Sequence, residues 1–569
     1  FKQKTAYEIG VRLVGSEMCI RDRKISLINY NEGIIMKNTK HPQMIFTDDA
    51  WLLSRSAPVV TYKDFEEYIV SNFAGKNGAF WWSVGDHEVW HYETEIGERF
   101  GDDYDMFDEK LPSFVHHGTP GVCDAIKRNL TSLIKECGGP LTAISKICKE
   151  NNIPFFPRVR MNSHYPIDTD HVAYGNFRRN HPELLIGRPG EEIVEGTIEY
   201  GIRTGKDFAY PEVRSYMIDM ITETFQKFDV DGVELDFCRH PAMFRTEEAY
   251  SNRYLMTELI REVKSRLIQT GKEKNRDLKL AVRVPPTLDD SERLGLDVRR
   301  WIKEELVDIV IAGIGFIPFD TPVEEFVKAT KGTNCLIYGC IEMTRQADPL
   351  TLRALAYRWL NAGAAGVYLY NFYTMSPEWN DKTFNELTNL EVLSKLDKRY
   401  ELAPTGPLVP CGSIGCAFRY ASPQTQLPIN LHPEYVEIGP ELNIDISDQH
   451  LDTPSKTNLK EASLTLRLEN LKKDDQILVK INGETLEQKT AITTFGSYER
   501  LGSAGLFWMS YPTEIDTVVV VGDSIHFPIK ETLLKTGNNK IELNLNRTKN
   551  TDKKPVTVVG SEISLKFKT

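Results

Sequence analysis

The sequence predicts an eight-stranded (β/α) barrel followed by an all-β sandwich, and three observations carry that expectation. From about Met44 to Leu402, short apolar runs alternate with helical patterns, the rhythm of βαβ units and a parallel sheet. Eight such runs are available, which is the number a barrel of this type needs to close. After Leu402 the helical periodicity stops, and short β-patterned runs follow, separated by Asn, Gly, Asp, Lys and Pro clusters.

The first strand is expected at Met44–Asp48, followed by the helix-like YKDFEEYIVSNF, and the second at Ala79–Val84. The excursion GDHEVWHYETEIGERFGDDYD is too long for an ordinary connection and reads as a functional loop. Helical segments from about Gly121 to Asn151, opening at Thr119-Pro120, lead to a third strand at Ile153–Arg160. The helix YPEVRSYMIDMITETFQKF precedes the fourth strand, Gly232–Phe237, and a helix over roughly Thr246–Gln269 precedes the fifth, Leu278–Val284. Strands six, seven and eight are expected at Val307–Ile311, Cys335–Gly339 and Gly366–Asn371. In the C-terminal region LPINL, EYVEIG, LNIDIS, SLTLRLENL, QILVKING, HFPI, KIELNLN and EISLKF supply the sandwich strands, a module for binding carbohydrate or for bracing the barrel.

A chain of 569 residues is too long for one hydrophobic core, and it divides into residues 1–23, a barrel over 24–402 and a sandwich over 403–569. Phe1–Arg23 resembles translated sequencing-adapter read-through, so it is set aside from fold reasoning, and export stays undecided because a leader can have been replaced. The formal net charge of −12 argues against a nucleic-acid or anionic-membrane partner, and no apolar stretch is long enough to cross a bilayer. Nine cysteines without close pairing suggest free thiols rather than a disulfide scaffold or zinc site; Cys411 and Cys416 in CGSIGC read as loop residues.

Barrel enzymes carry their reacting groups at the C-terminal ends of strands, so strand phase gives a list of candidates. In Val233-Glu234-Leu235-Asp236-Phe237 the apolar residues share one face by period two, which aims Glu234 and Asp236 into the lumen. A buried charge without a partner costs several kcal/mol, so two carboxylates there need either paired cations or a catalytic role. The seventh strand's run ends in Glu342, on another side of the mouth, and flanking carboxyl groups are what hydrolysis of a glycosidic bond requires. The catalytic candidates are therefore Glu234, Asp236 and Glu342, with Glu342 as nucleophile.

Other strand ends are polar as well. Asp48, Trp82, Asp86, His87, Arg158, Arg160, Asn162, His164, Arg239, His240, Arg283, Asn371 and Tyr373 are candidate substrate-binding residues, and Asp49 neighbours the first of them. Arg283, between Val282 and Val284, is expected in the lumen, holding Glu234 ionised. The cluster of arginines and histidines either neutralises the barrel's own carboxylates or binds a sulfated or carboxylated sugar. Trp81, Trp82, Trp90 and Tyr92 offer rings for stacking on sugars, although alternation sends one of Trp81 and Trp82 toward the helices.

On the fourth-strand pattern D-G-(apolar)-x-(apolar)-D, here Asp231-Gly232-Val233-Glu234-Leu235-Asp236, the stretch from Met44 to Leu402 resembles the glycosyl-hydrolase-like group of (β/α) barrels found in environmental bacteria. The resemblance implies hydrolysis of a carbohydrate by carboxylates at strands four and seven, without a metal or organic cofactor, and leaves open which of Glu234 and Asp236 is the acid. Retention of anomeric configuration is the expectation, and a carboxyl separation of ~5–5.5 Å rather than ~6.5–9.5 Å would accompany it. Two alternatives belong to other classes: a non-catalytic carbohydrate-binding barrel, and a metal-dependent hydrolase using Asp48, Asp49, His87 and Asp236.

Overall fold

Eight parallel strands close into a barrel in the computed structural model, which describes residues 41–86, 89–102, 120–164, 174–314, 319, 321–342, 349–371, 382, 385–402, 420–421, 425–435, 438–452, 458–501, 519–547 and 553–568. The side chains of a few of these, Asp86 and Glu342 among them, lie outside the description. The strands are β1 (Met44–Asp48), β2 (Gly78–Ser83), β3 (Phe155–Arg160), β4 (Gly232–Asp236), β5 (Lys279–Val284), β6 (Ile309–Ala312), β7 (Leu336–Glu342) and β8 (Gly366–Tyr370). Each pairs in parallel with the next, and β8 returns to pair with β1 through Met44–Val367 to Thr47–Tyr370. The expected seventh strand stops at Gly339, but β7 runs on to Glu342 because Cys340, Ile341 and Glu342 continue the ladder onto Tyr368, Leu369 and Tyr370.

Period-two alternation sorts each strand into an outer and an inner face. Met44, Phe46, Trp82, Val159, Val233, Leu235, Val282 and Leu369 pack outward with the helices in one large apolar core. Ile45, Trp81, Phe156, Ala281, Ile311, Tyr338, Tyr368 and Tyr370 point inward and fill the lumen as a second, smaller cluster. The main covering helices are α1 (Tyr62–Phe73), α2 (Pro120–Cys137), α3 (Pro140–Glu150), α4 (Pro211–Lys227), α5 (Ala249–Lys274), α6 (Val298–Lys303), α7 (Val323–Ala329) and α8 (Pro349–Ala362). Local signals set their starts: α1 opens with a capping box between Thr61 and Asp64, and α3 and α4 carry Pro at the first turn. Each large side chain fully buried between helix and strand, such as Trp301 or Trp359, contributes roughly 1.5–3 kcal/mol.

The C-terminal region forms two antiparallel sheets around one shared core. Its strands are β9 (Lys398–Leu402), β10 (Ile429–Leu431), β11 (Glu441–Ile446), β12 (Leu459–Glu469), β13 (Gln476–Ile481), β14 (Glu484–Thr485), β15 (Ile492–Leu501), β16 (Val519–Ile529), β17 (Gly537–Asn546) and β18 (Val556–Phe567). One sheet runs β9-β18-β12-β16-β15 with β10 beside β18, and the other runs β11-β17-β13-β14. Thus Lys398–Leu402, the end of the stretch read as barrel, is the first strand of the sandwich.

The two parts share contacts. Ala354 of α8 belongs to the sandwich core, and buried Lys398 donates to the carbonyls of Leu393 and Leu396 while pairing with Asp448 at 3.1 Å. The Tyr357 ring of α8 lies 4.8 Å from the same ammonium. No described helix is long and apolar enough to cross a membrane. The described cysteines, Cys123, Cys137, Cys148, Cys238, Cys335 and Cys340, are free thiols, while Cys411 and Cys416 lie outside the described residues.

Candidate active site

The site is built on β4. Its first residue, Gly232, is fixed by space: a Cβ there would sit 2.2 Å from the carbonyl oxygen of Lys279 and 2.6 Å from the Phe156 ring. From that start Val233 and Leu235 turn outward, and Glu234 and Asp236 turn into the lumen, both fully buried.

Asp236 is held by four donors. Its Oδ2 accepts from Nη1 of Arg158 and Nη1 of Arg283, each at 3.1 Å, and its Oδ1 accepts the backbone N–H of Cys238 at 2.9 Å and of Arg239 at 3.2 Å. Burial alone would raise this carboxyl, but the charges of Arg283 and Arg158 outweigh it and hold Asp236 below the usual carboxylate range. Arg283 continues to the carbonyls of Gly313 and Ile314. It therefore anchors Asp236 rather than Glu234, as their pairing in the β4–β5 register dictates.

Glu234 has a different environment. Its two carboxyl oxygens lie 2.8 and 2.9 Å from the hydroxyl of Tyr368, which donates to them. Burial pushes Glu234 up to about 8; Arg158 and Arg283 oppose the rise and the neighbouring charge of Asp236 adds to it. Two carboxyl groups on one strand face are thus driven apart, one neutral and one ionised at neutral pH.

Asp49, just past β1, is the third lumen carboxylate. Its Oδ1 accepts from Nη2 of Arg158 and lies 2.9 Å from Nη2 of Arg160. The Tyr370 hydroxyl donates at 3.1 and 3.2 Å to its two oxygens, and Nδ2 of Asn371 donates to Oδ2 at 2.9 Å. Burial raises Asp49, but Arg160, Arg158 and Arg239 overcome that and hold it well below the usual range. The guanidiniums of Arg158 and Arg283 also cover the Tyr370 ring at 4.6 and 4.2 Å. Arg158, Arg160 and Arg283 each pair with at least one of the barrel's own carboxylates, Asp49 or Asp236.

Several expected residues stand elsewhere. Asp48 shares the outward phase of Met44 and Phe46, so its carboxyl accepts from the Trp51 N–H and the Tyr68 hydroxyl instead of facing the lumen; burial pushes it up to about 6. Trp82 packs outward against Phe65 of α1, and it is Trp81 that enters the lumen, stacked on Phe156 at 4.5 Å. Trp90 and Tyr92 are buried in the outer core.

Asn162 spends its amide on the backbone of Lys206 and Ala242, pinning the loops after β3 and β4. The His164 ring contacts the Ala242 carbonyl through Nε2 at 3.0 Å, the His164 backbone N–H donates to Nδ1 of His240, and burial lowers the imidazole to about 3. Both histidines are buried. The backbone of Glu342 ends β7 in register with Tyr370. His87, Tyr373 and the side chains of Asp86 and Glu342 lie outside the described residues.

Tyr368 and Tyr370 are lumen residues that sequence reasoning passed over, and Asp49, named there only beside Asp48 and as a metal-ligand candidate, joins them in the lumen. The signal was present: Ile45-Thr47-Asp49 and Tyr368-Tyr370 alternate with apolar neighbours just as Glu234-Asp236 does. Among the described residues no group of three or more His, Cys, Asp or Glu is arranged to hold a metal ion. Within the set Asp48, Asp49, His87 and Asp236, the Arg158 guanidinium bridges Asp49 and Asp236 while Asp48 faces α1.

The fold and its mouth define a (β/α)8-barrel protein with a C-terminal β-sandwich and a buried acid–arginine site at the C-terminal end of the strands. No family model and no curated protein matches the chain. Among solved structures it is similar to a cycloisomaltooligosaccharide glucanotransferase from a Paenibacillus species, at 10% identity and TM-score 0.32, covering 92% of this chain and 57% of that one. It is also similar to an alpha-galactosidase from Geobacillus stearothermophilus, at 10% identity and TM-score 0.37, covering 86% and 56%. A third is an endo-beta-1,4-mannanase from Thermotoga petrophila, at 9% identity and TM-score 0.36, covering 93% and 98%. The chain spans a little over half the length of the first two. At these identities the likeness concerns the fold alone.

Proposed function

We propose that the chain is a glycoside hydrolase that cleaves an O-glycosidic bond with Glu234 as proton donor and Glu342 as the ionised partner. The observation that supports this most is the split within the mouth: Glu234 is kept protonated at neutral pH while Asp236 and Asp49 are kept ionised. A general acid needs a proton to give at working pH, and a buried Glu pushed to about 8 has one. Asp236 has all its acceptor sites occupied by donors and acts in this reading as the frame that fixes Arg158 and Arg283.

The sugar enters past Asp49, whose side chain is 18% exposed. Glu234 protonates the leaving glycosidic oxygen as its bond to the anomeric carbon breaks. Glu342 attacks that carbon, and a water deprotonated by Glu234 then releases the sugar with net retention. Three carboxylates converging on one lumen also favour catalysis over mere carbohydrate binding.

The test is turnover on a panel of neutral and sulfated polysaccharides, with product anomers followed by NMR. Glu234→Gln and Glu342→Gln should each abolish cleavage of any substrate found. Undiminished turnover by either variant would refute its assignment.

A further inference from the structure

The described tryptophans divide into two groups. Trp81, Trp82, Trp90, Trp301 and Trp359 are at most 2% exposed, whereas Trp51 is 48% exposed. An indole is among the largest apolar surfaces a side chain offers, so a fold ordinarily encloses most of it. The turn that carries Trp51 encloses its smaller apolar residues instead: Leu53 is fully buried and Leu52 packs against the outer core.

The place of Trp51 gives that exposure a meaning. Trp51–Ser54 is a single 3-10 turn beyond the C-terminal end of β1, on the side of the barrel where loops meet ligand. Asp49 lies two residues earlier, so the two Cα atoms are at most about 7 Å apart. Exposure falls from Trp51 through the Asp49 side chain, at 18%, to Glu234, which is closed off from solvent.

The turn is held in place from several sides. Asp48 Oδ1 accepts the Trp51 N–H at 2.8 Å, and the Ser54 hydroxyl donates to the Trp51 carbonyl at 2.7 Å. Buried Asn129 of α2 donates through Nδ2 to the carbonyls of Leu53 and Arg55 at 2.8 and 2.9 Å, and its Oδ1 accepts the Val60 N–H at 3.1 Å. Asp48, which faces away from the lumen, thus has a task at the rim. A ring carried on backbone fixed in advance gives up less freedom when a ligand arrives.

We propose that Trp51 is a stacking platform for a sugar unit outside the lumen, bound while a neighbouring unit of the same chain occupies the lumen at Glu234, so that the substrate is an oligo- or polysaccharide rather than a single-sugar glycoside. The inference rests on the glycosidase reading and deepens it by naming the substrate class. One face of a pyranose consists of C–H groups, and these settle against the electron-rich face of an indole. Such stacking uses ring surface open to solvent and needs no hydrogen-bonding atom of the protein.

The experiment is calorimetric titration of the full chain carrying Glu234→Gln, which suspends turnover, with gluco-, manno-, galacto- and urono-tetrasaccharides and with the matching monosaccharides. At least one tetrasaccharide should bind more tightly than its monosaccharide. Adding Trp51→Ala should weaken that tetrasaccharide by about 10-fold and leave the monosaccharide where it was. Trp51→Phe keeps a ring and should recover most of the loss. Trp51 is half exposed, so its removal should leave the unfolding midpoint nearly unmoved, and Tyr254→Ala, which deletes an exposed ring on α5, should leave binding unchanged. A tetrasaccharide bound equally well without Trp51 would overturn the platform. So would an equal loss for the monosaccharide, or no binding of any tetrasaccharide.

The two readings fail separately. A tetrasaccharide held through Trp51 but left uncleaved by the unsubstituted chain keeps the platform and removes the hydrolase. Cleavage with a KM indifferent to Trp51→Ala keeps the hydrolase and removes the platform.

Discussion

Replacing Glu234 by Gln should make the protein inactive and, at alkaline pH, more stable. Glu234 moves from 4.5 to about 8 on folding because it is buried. An acid whose folded value is raised binds more protons in the native state than in the unfolded one, so stability falls as pH climbs from about 4.5 toward 8. At 1.36 kcal/mol per decade, that displacement amounts to about 5 kcal/mol once Glu234 is fully ionised. Glutamine keeps the shape and never ionises, so it avoids this loss.

For the barrel and sandwich unfolding together at about 2.1 cal/mol/K per residue, the difference corresponds to roughly 4 °C in Tm. Scanning calorimetry of both proteins at pH 5 and pH 9 isolates the effect, because every other titrating group is common to the pair. The gap in Tm should be small at pH 5 and open in favour of the variant at pH 9. A gap independent of pH would mean that Glu234 titrates like an ordinary carboxyl, and the proton-donor assignment would fall with it.

Three further outcomes are expected. Tyr368→Phe removes the hydroxyl that favours ionised Glu234, so the alkaline limb of the kcat/KM profile should move up by about one pH unit; an unmoved limb would uncouple the two residues. Arg158→Met leaves Asp49 and Asp236 without their shared cation and should cost about 3–5 kcal/mol in chemical denaturation, whereas an unchanged midpoint would show the pair to be solvated. Gly232→Ala drives a Cβ into the Lys279 carbonyl and should cost about 3 kcal/mol or more, read as loss of soluble protein or a lowered unfolding midpoint.

Much of the barrel was legible because strand phase is legible. Val233, Leu235 and Phe237 could face only apolar helices, so Glu234 and Asp236 had to face inward, and they do. Phase failed where both neighbours suit either face. Trp81 and Trp82 are equally apolar, and Asp48 and Asp49 equally acidic, so the choice rested on Thr47, whose polarity in an apolar strand marks the lumen side. The partner of Arg283 depended on inter-strand register, which places Asp236 opposite it and which no single strand encodes. Asn162 and His164 carry polarity for another purpose, satisfying loop backbone around Lys206 and Ala242.

The junction at Lys398 limits how this architecture can be rearranged. Its ammonium is enclosed by Leu393, Leu396, Asp448, Tyr357 and Phe567, so the cation has neighbours on both sides of the boundary. Cutting the chain at the end of β9 would strip away Asp448 and leave a buried cation uncompensated. A working exchange of C-terminal modules between barrels would have to carry this lysine's whole enclosure with it, and the α8 face bearing Ala354 and Tyr357 as well.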